Sequence, residues 1–126
     1  MVYMFLNGGG MRGGALHHQL LGAPLVKQTR TAPKYRFYSV DDRFPALDPV
    51  SSGGVAVHGE LYDVPLETLR DSLLPAEPPE LELGVIELED GEPSLAVVLR
   101  GEFRRTAKLT DISATASWRA YQEGKQ

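Results

Sequence analysis

The 126-residue chain contains no cysteine. That absence excludes a disulfide framework, a thiolate nucleophile and a thiolate metal site, and it fits an expected cytoplasmic location. No apolar run approaches the roughly 18 residues a membrane span needs, and no basic stretch precedes the first apolar run as a secretory signal requires. Positive charge is not in surplus either. Thirteen Lys and Arg face 17 Asp and Glu, a formal charge of −4, which argues against nucleic acid as the main partner. Histidine is scarce, with three in all. His17 and His18 are adjacent, so on a helix they point about 100° apart and cannot grip one metal together. His58 has no carboxylate at a zinc-motif offset, so neither a metal nor another cofactor is expected. Repeats, low-complexity tracts and a dividing linker are all lacking, and residues 1–126 read as one domain.

What is present is a folded chain, 42% hydrophobic and 24% charged. "MVYMFL" reads as a buried, central first strand. Ala15, Leu16, Gln19, Leu20 and Leu21 suit a short helix that stops at Gly22. "PLVKQTRTAPKYRFYSV" suits two strands hinged at Ala32–Pro33, and "DDRFPALDPVSSGG" reads as loop from its prolines, aspartates and glycines. "VAVHGELYDV" alternates, with Val57, Gly59 and Leu61 on one face and His58, Glu60 and Tyr62 on the other. Pro65 opens a helix striped by Leu66, Leu69 and Leu73, and "PAEPPE" follows as an extended connector. "LELGVIELEDGEPSLAVVLRGEF" is a hairpin around Asp90–Gly91, and "DISATASWRAYQ" is a tail helix docking through Ile112, Trp118 and Tyr121. This order predicts an α+β fold, a mixed sheet or partly closed barrel with two to three short helices.

The chemistry concentrates in "NGGGMRGG". Three glycines between a strand and a helix serve either as a tight turn needing positive φ or as bare backbone offering N–H groups to an anion. Arg12 adds a cation to the second reading. The stretch is neither a dinucleotide fingerprint nor a P-loop, since no βαβ unit and no Gly-Lys-Ser/Thr follow. Three side chains are candidates for acid/base work. His18 sits on the short helix, Glu60 on a strand face that matters only if a pocket covers it, and Glu77 in the Pro-rich connector. Desolvation there would raise the Glu77 pKa and equip it to shuttle a proton.

"FLNGGGMRGGALHHQLLGAPLVKQTRTAPKYRFYSV" and "VHGELYDVPLETLRDSLL" resemble the γ-glutamylcyclotransferase-like superfamily, and within it the C-terminal domain of allophanate hydrolase. "PELELGVIELEDG" and the terminal "DISATASWRAYQ" carry the second, narrower resemblance. It implies a γ-glutamylcyclotransferase-like small mixed β-barrel in which Asn7, Gly8, Gly9, Gly10, Met11, Arg12 and Tyr35 bind a small carboxylate-bearing metabolite. It further implies decarboxylation of an N-carboxycarbamate-type compound, with His18 ranked above Glu77 and Glu60 as the catalytic group. The alternatives are γ-glutamyl cyclotransferase activity through Glu77, and a non-catalytic module that holds an amidase. The loop departs from the cyclotransferases: Asn7 stands where they carry Tyr, and Gly9–Gly10 replace Ser/Thr-Leu. No amidase domain fits within 126 residues. A separately encoded amidase is therefore the expected partner, with a second copy of the chain as the other, and neither nucleic acid nor membrane.

Overall fold

The computed structural model describes residues 2–125; Met1, which opens the first apolar run, and Gln126 lie outside them. Five strands form the larger sheet: β1 (Val2–Leu6), β2 (Leu25–Arg30), β5 (His58–Val64), β6 (Leu81–Glu87) and β7 (Pro93–Leu99). Their order is β2-β5-β1-β7-β6. Among the described residues, only β1 and β7 pair in parallel. Three more strands, β3 (Tyr35–Val40), β4 (Phe44–Pro49) and β8 (Leu109–Asp111), make a second sheet in the order β4-β3-β8.

The central place of β1 explains why its residues are apolar on both faces. Met4 and Leu6 join Tyr62, Leu73 and Val97 in one core cluster. Phe5, pointing the other way, joins Phe37, Leu61 and Leu88 in a second. Residues of the smaller sheet enter both clusters, so the two sheets share their interior. The fold is α+β as expected, but the barrel is not closed. Among the described residues, the edge strands β2 and β6 meet only at the Thr31–Leu88 bridge beyond their ends.

The segment expected to be loop contains β4, which pairs with β3 from Val40–Phe44 to Tyr35–Pro49. Pro45 and Pro49 are four residues apart, so both nitrogens face the same side of the strand. At a sheet edge that side needs no partner, and the prolines are tolerated. The hairpin turn places Asp41 and Asp42 at φ 51° and 61°, the paired left-handed geometry that tight hairpins favour and Asp accepts.

The short helix expected after the glycine loop is a 3-10 turn over His17–Leu20, and it ends at left-handed Leu21 and Gly22. After Pro65 the helical segment runs through α1 (Leu66–Thr68), a π-helical turn (Leu69–Leu73) and α2 (Leu74–Ala76). The N–H of Leu74 reaches back to the Leu69 carbonyl, and Pro75 offers no N–H to continue the ladder. The extended connector therefore starts at Glu77, whose ψ of 149° marks the exit. The tail forms α3 (Trp118–Gly124), capped by Ser117, whose Oγ accepts the Ala120 N–H at 3.2 Å. No residue of α3 is fully buried. Among the described residues, no helix is long and apolar enough to cross a membrane.

Gly59 lies where β5 crosses the Leu6 carbonyl and the Phe5 ring, with no room for a Cβ. Gly59→Ala is expected to lower stability by about 2 kcal/mol, because backbone in a sheet cannot move aside cheaply. A reduced urea midpoint with unchanged slope would show it.

Candidate functional site

The loop between β1 and the 3-10 turn folds on itself. Met11 N–H donates to the Gly8 carbonyl (3.1 Å), Gly14 N–H to Met11 (2.9 Å) and Leu16 N–H to Gly9 (2.8 Å). Only Gly13 has a positive φ, at 85°. The other glycines have different reasons. A Cβ on Gly8 would lie 2.6 Å from the Pro45 ring, and one on Gly14 would strike the Gly9 carbonyl. The N–H groups of Gly8, Gly9 and Gly10 enter no backbone hydrogen bond among the described residues.

Beneath the loop lies Glu60, 1% exposed. Its Oε1 accepts the Arg12 N–H and the Tyr62 hydroxyl, both at 2.8 Å. Its Oε2 is 3.4 Å from Arg119 Nη2 and 3.7 Å from Arg12 Nε. Burial pushes this carboxyl up, but the Arg12 N–H, the Tyr62 hydroxyl and Arg119 outweigh burial and hold it below the ordinary 4.5. Tyr62, buried and donating to that carboxylate, is pushed up to about 12. Arg119 Nη2 also donates to the Arg12 carbonyl, which ties α3 to the loop.

A cavity of about 580 Å³ opens above the loop. Asn7 and the stretch Gly8–Gly14, Arg12 included, form one wall. Phe44 and Pro45 of β4 form another, and Trp118, Arg119 and Gln122 of α3 a third. Glu77 closes the remaining side. Burial alone pushes its carboxyl up to about 7, and no hydrogen bond or ion pair engages that carboxyl among the described residues. Arg12, Arg43 and Arg119 border the same space together with Glu123, and each arginine is also ion-paired, Arg12 and Arg119 with Glu60 and Arg43 with Asp41 and Glu80.

The structure thus brings together Asn7, Gly8, Gly9, Gly10, Met11, Arg12 and Glu77 around one space, with Glu60 under its floor. Met11 differs from the glycines in that its N–H is already used. His18 is exposed, within reach of the Gln19 amide (3.1 Å), and lines no part of the cavity. His17 turns inward instead, its Nδ1 3.0 Å from the Gly10 carbonyl and its ring 5.8 Å from that of Tyr62. Tyr35 is buried away from the cavity, its hydroxyl accepting the Glu87 N–H at 2.8 Å. Sequence reading overlooked Arg43 and Arg119. The signal for Arg119 is faint: it is the one basic residue between Lys108 and Lys125.

The sequence matches the allophanate hydrolase C-terminal domain family over residues 2–123. The chain belongs to that family. Among solved structures, a uropathogenic E. coli-specific protein, c4763, is 32% identical with a TM-score of 0.88, over 97% of this chain and 95% of that one. Allophanate hydrolase from Kluyveromyces lactis is 25% identical with a TM-score of 0.89, over 99% of this chain but 21% of its own length. The urea amidolyase of the same yeast is 26% identical with a TM-score of 0.90, and the chain spans 8% of it. This family member is therefore the counterpart of a small part of those two enzymes. No functionally curated protein matches the sequence.

The two carboxyls predict opposite responses to pH. Glu60 has a lowered folded pKa, so its contribution to stability is present above 4.5 and is lost as pH falls through the folded value. Glu60→Gln should abolish that acid-side loss. At pH 7 it should cost about 3 kcal/mol, because it removes a buried charge from its donors. Glu77 has a raised folded pKa, so stability is full below 4.5 and falls as pH rises through about 7. Glu77→Gln should flatten that decline and be the more stable protein at pH 8, by up to about 3 kcal/mol. Urea melts across pH 3–9 would resolve both.

Proposed function

We propose that the cavity binds a small ureido carboxylate and that Glu77 delivers the proton for its decarboxylation. The observation that carries this reading is a carboxyl raised to about 7 by burial on the wall facing a glycine loop with unused N–H groups. In an N-carboxycarbamate-type substrate, the loop N–H groups hold one carboxylate. The C–N bond to the other breaks, CO2 leaves, and the electron pair stays on nitrogen and takes the Glu77 proton. Carbamate remains, and Glu77 regains its proton from water. A bound dianion would raise the Glu77 pKa further and keep the proton in place until that step. A separately encoded amidase would supply the substrate, in keeping with the larger K. lactis enzymes that contain this domain.

One observation also favours γ-glutamyl cyclotransferase chemistry. A glutamate poised near 7 beside a glycine loop also suits proton removal from an amine attacking a γ-glutamyl carbonyl. Formation of 5-oxoproline from γ-glutamyl amines would distinguish the two. A non-catalytic docking role through α3 has less support. Trp118 packs on both core clusters, and the Tyr121 hydroxyl is tied to Asp42 at 2.7 Å.

The test offers allophanate with a separately prepared amidase and follows CO2 release. Added protein should accelerate the step, and Glu77→Gln should slow it about a hundredfold. The rate should fall as pH rises above about 7, where Glu77 loses its proton. His18→Ala should leave the rate within about twofold. If His18→Ala abolishes activity and Glu77→Gln does not, the proton carrier is the histidine and the assignment to Glu77 fails.

A further inference from the structure

A second cavity of about 310 Å³ shares Met11 and Arg119 with the first, and Glu60 lies in its lining. Its charges come in pairs. Arg30 is bonded to Glu89 at 2.8 Å, and Arg119 faces Glu60 at 3.4 Å. Two cations and two anions leave no net charge, so neither a plain anion nor a plain cation is favoured there.

The hydrogen-bonding capacity left over is specific. Glu60 Oε1 is fully engaged by the Arg12 N–H and the Tyr62 hydroxyl, whereas Oε2 has only the long contacts to Arg119 and Arg12. Arg119 spends Nη2 on the Arg12 carbonyl and on Glu60, and its Nε and Nη1 enter no hydrogen bond among the described residues. An acceptor with spare capacity therefore stands beside a donor with spare capacity. Thr29 and Ser117 border the same space, and the Ser117 hydroxyl oxygen accepts from Ala120 and leaves its proton available.

We infer that this second cavity binds a neutral carbamoyl group, an amino group on a carbonyl carbon, as carried by a urea or a primary amide. Such a group is planar, with N–H donors on one side and a carbonyl acceptor on the other. Glu60 Oε2 takes the N–H, and one free N–H of the Arg119 guanidinium takes the carbonyl. The site goes beyond the decarboxylation reading, which concerns an anion in the larger cavity. Its test needs no turnover, so either idea can fail alone.

The experiment titrates the labelled protein with acetamide and urea, each kept below denaturing concentration, and with acetate as the control, following backbone amide signals by NMR. Both carbamoyl probes should move the signals of Thr29, Gly59 and Ser117 and saturate in the millimolar range, since so small a ligand buries little surface. Arg119→Met keeps the aliphatic stem, removes the donors and should weaken binding about tenfold. Glu60→Gln turns an N–H toward the ligand in place of Oε2 and should weaken it likewise. If that variant does not fold, exposed Arg119 still decides the matter. Unmoved signals, binding indifferent to Arg119→Met, or acetate binding as tightly at the same residues would each overturn the assignment.

Discussion

A single buried carboxylate organises the loop end of this molecule. Glu60 is ionised in the interior, and an interior charge must be met by donors or be expelled. The donors come from three distant parts of the chain: the Arg12 N–H, the Tyr62 hydroxyl and the Arg119 guanidinium. One of them is main chain. The path of the glycine loop is therefore fixed to β5 by a bond that no change of the Arg12 side chain alone would remove. Arg119 closes the arrangement from α3 by bonding the Arg12 carbonyl as well. Loop, sheet and terminal helix thus meet at one negative charge. The cavity above them has the shape that this junction dictates.

The junction also explains the glycines. Gly13 needs its left-handed backbone, Gly8 yields to Pro45, and Gly14 lies against the Gly9 carbonyl. A Cβ on Gly10 would come within 3.0 Å of Leu6, so that position too is crowded. Gly9 is different. A Cβ there would meet Leu16 at 3.6 Å, an ordinary contact, so packing does not demand glycine. What Gly9 and its neighbours share is an N–H group outside the loop's internal bonding. Steric need accounts for most of the loop and leaves a remainder on the cavity wall. The two readings of "NGGGMRGG" are therefore divided by position within one loop.

Local pattern carried much of the fold. The apolar run of β1, the Asp90–Gly91 hairpin of β6 and β7 and the helix at Trp118 were legible, because each signal lies within a few neighbouring residues. The start of that tail was not, since Asp111 belongs to β8 and Ile112 precedes the helix. β4 was not, since its prolines look like loop until its edge position is known. The alternation of β5 puts Glu60 on a polar strand face. Its cover comes from a loop 48 residues before it and a helix 59 residues after it, which no window on β5 contains. Periodicity likewise could not say which of two adjacent histidines turns inward. The 3-10 turn sends His17 to the Gly10 carbonyl and leaves His18 in solvent. Glu77 was legible as a candidate from its Pro-rich setting, but its desolvation depends on α2 ending one residue earlier.

Glu60 and Glu77 show how one small domain gives two identical side chains opposite states. Glu60 is buried and Glu77 half-buried, and burial by itself raises both. Donors reverse that effect at Glu60, and nothing does so at Glu77. One carboxyl is therefore a permanent charge and the other holds a proton near neutrality, the separation that acid/base assignments are built on. Exchanging the two environments would not preserve the arrangement. A neutral Glu60 would surrender its hold on Arg119 and the Arg12 N–H, loosening the loop that lines the cavity. An ionised Glu77 would put a negative charge where the proposed substrate brings its own. Fixed charge below the loop and a proton beside it are thus two halves of one electrostatic arrangement, in which Glu60 holds Arg12 and Arg119 in place while a neutral Glu77 adds no further negative charge to the cavity wall.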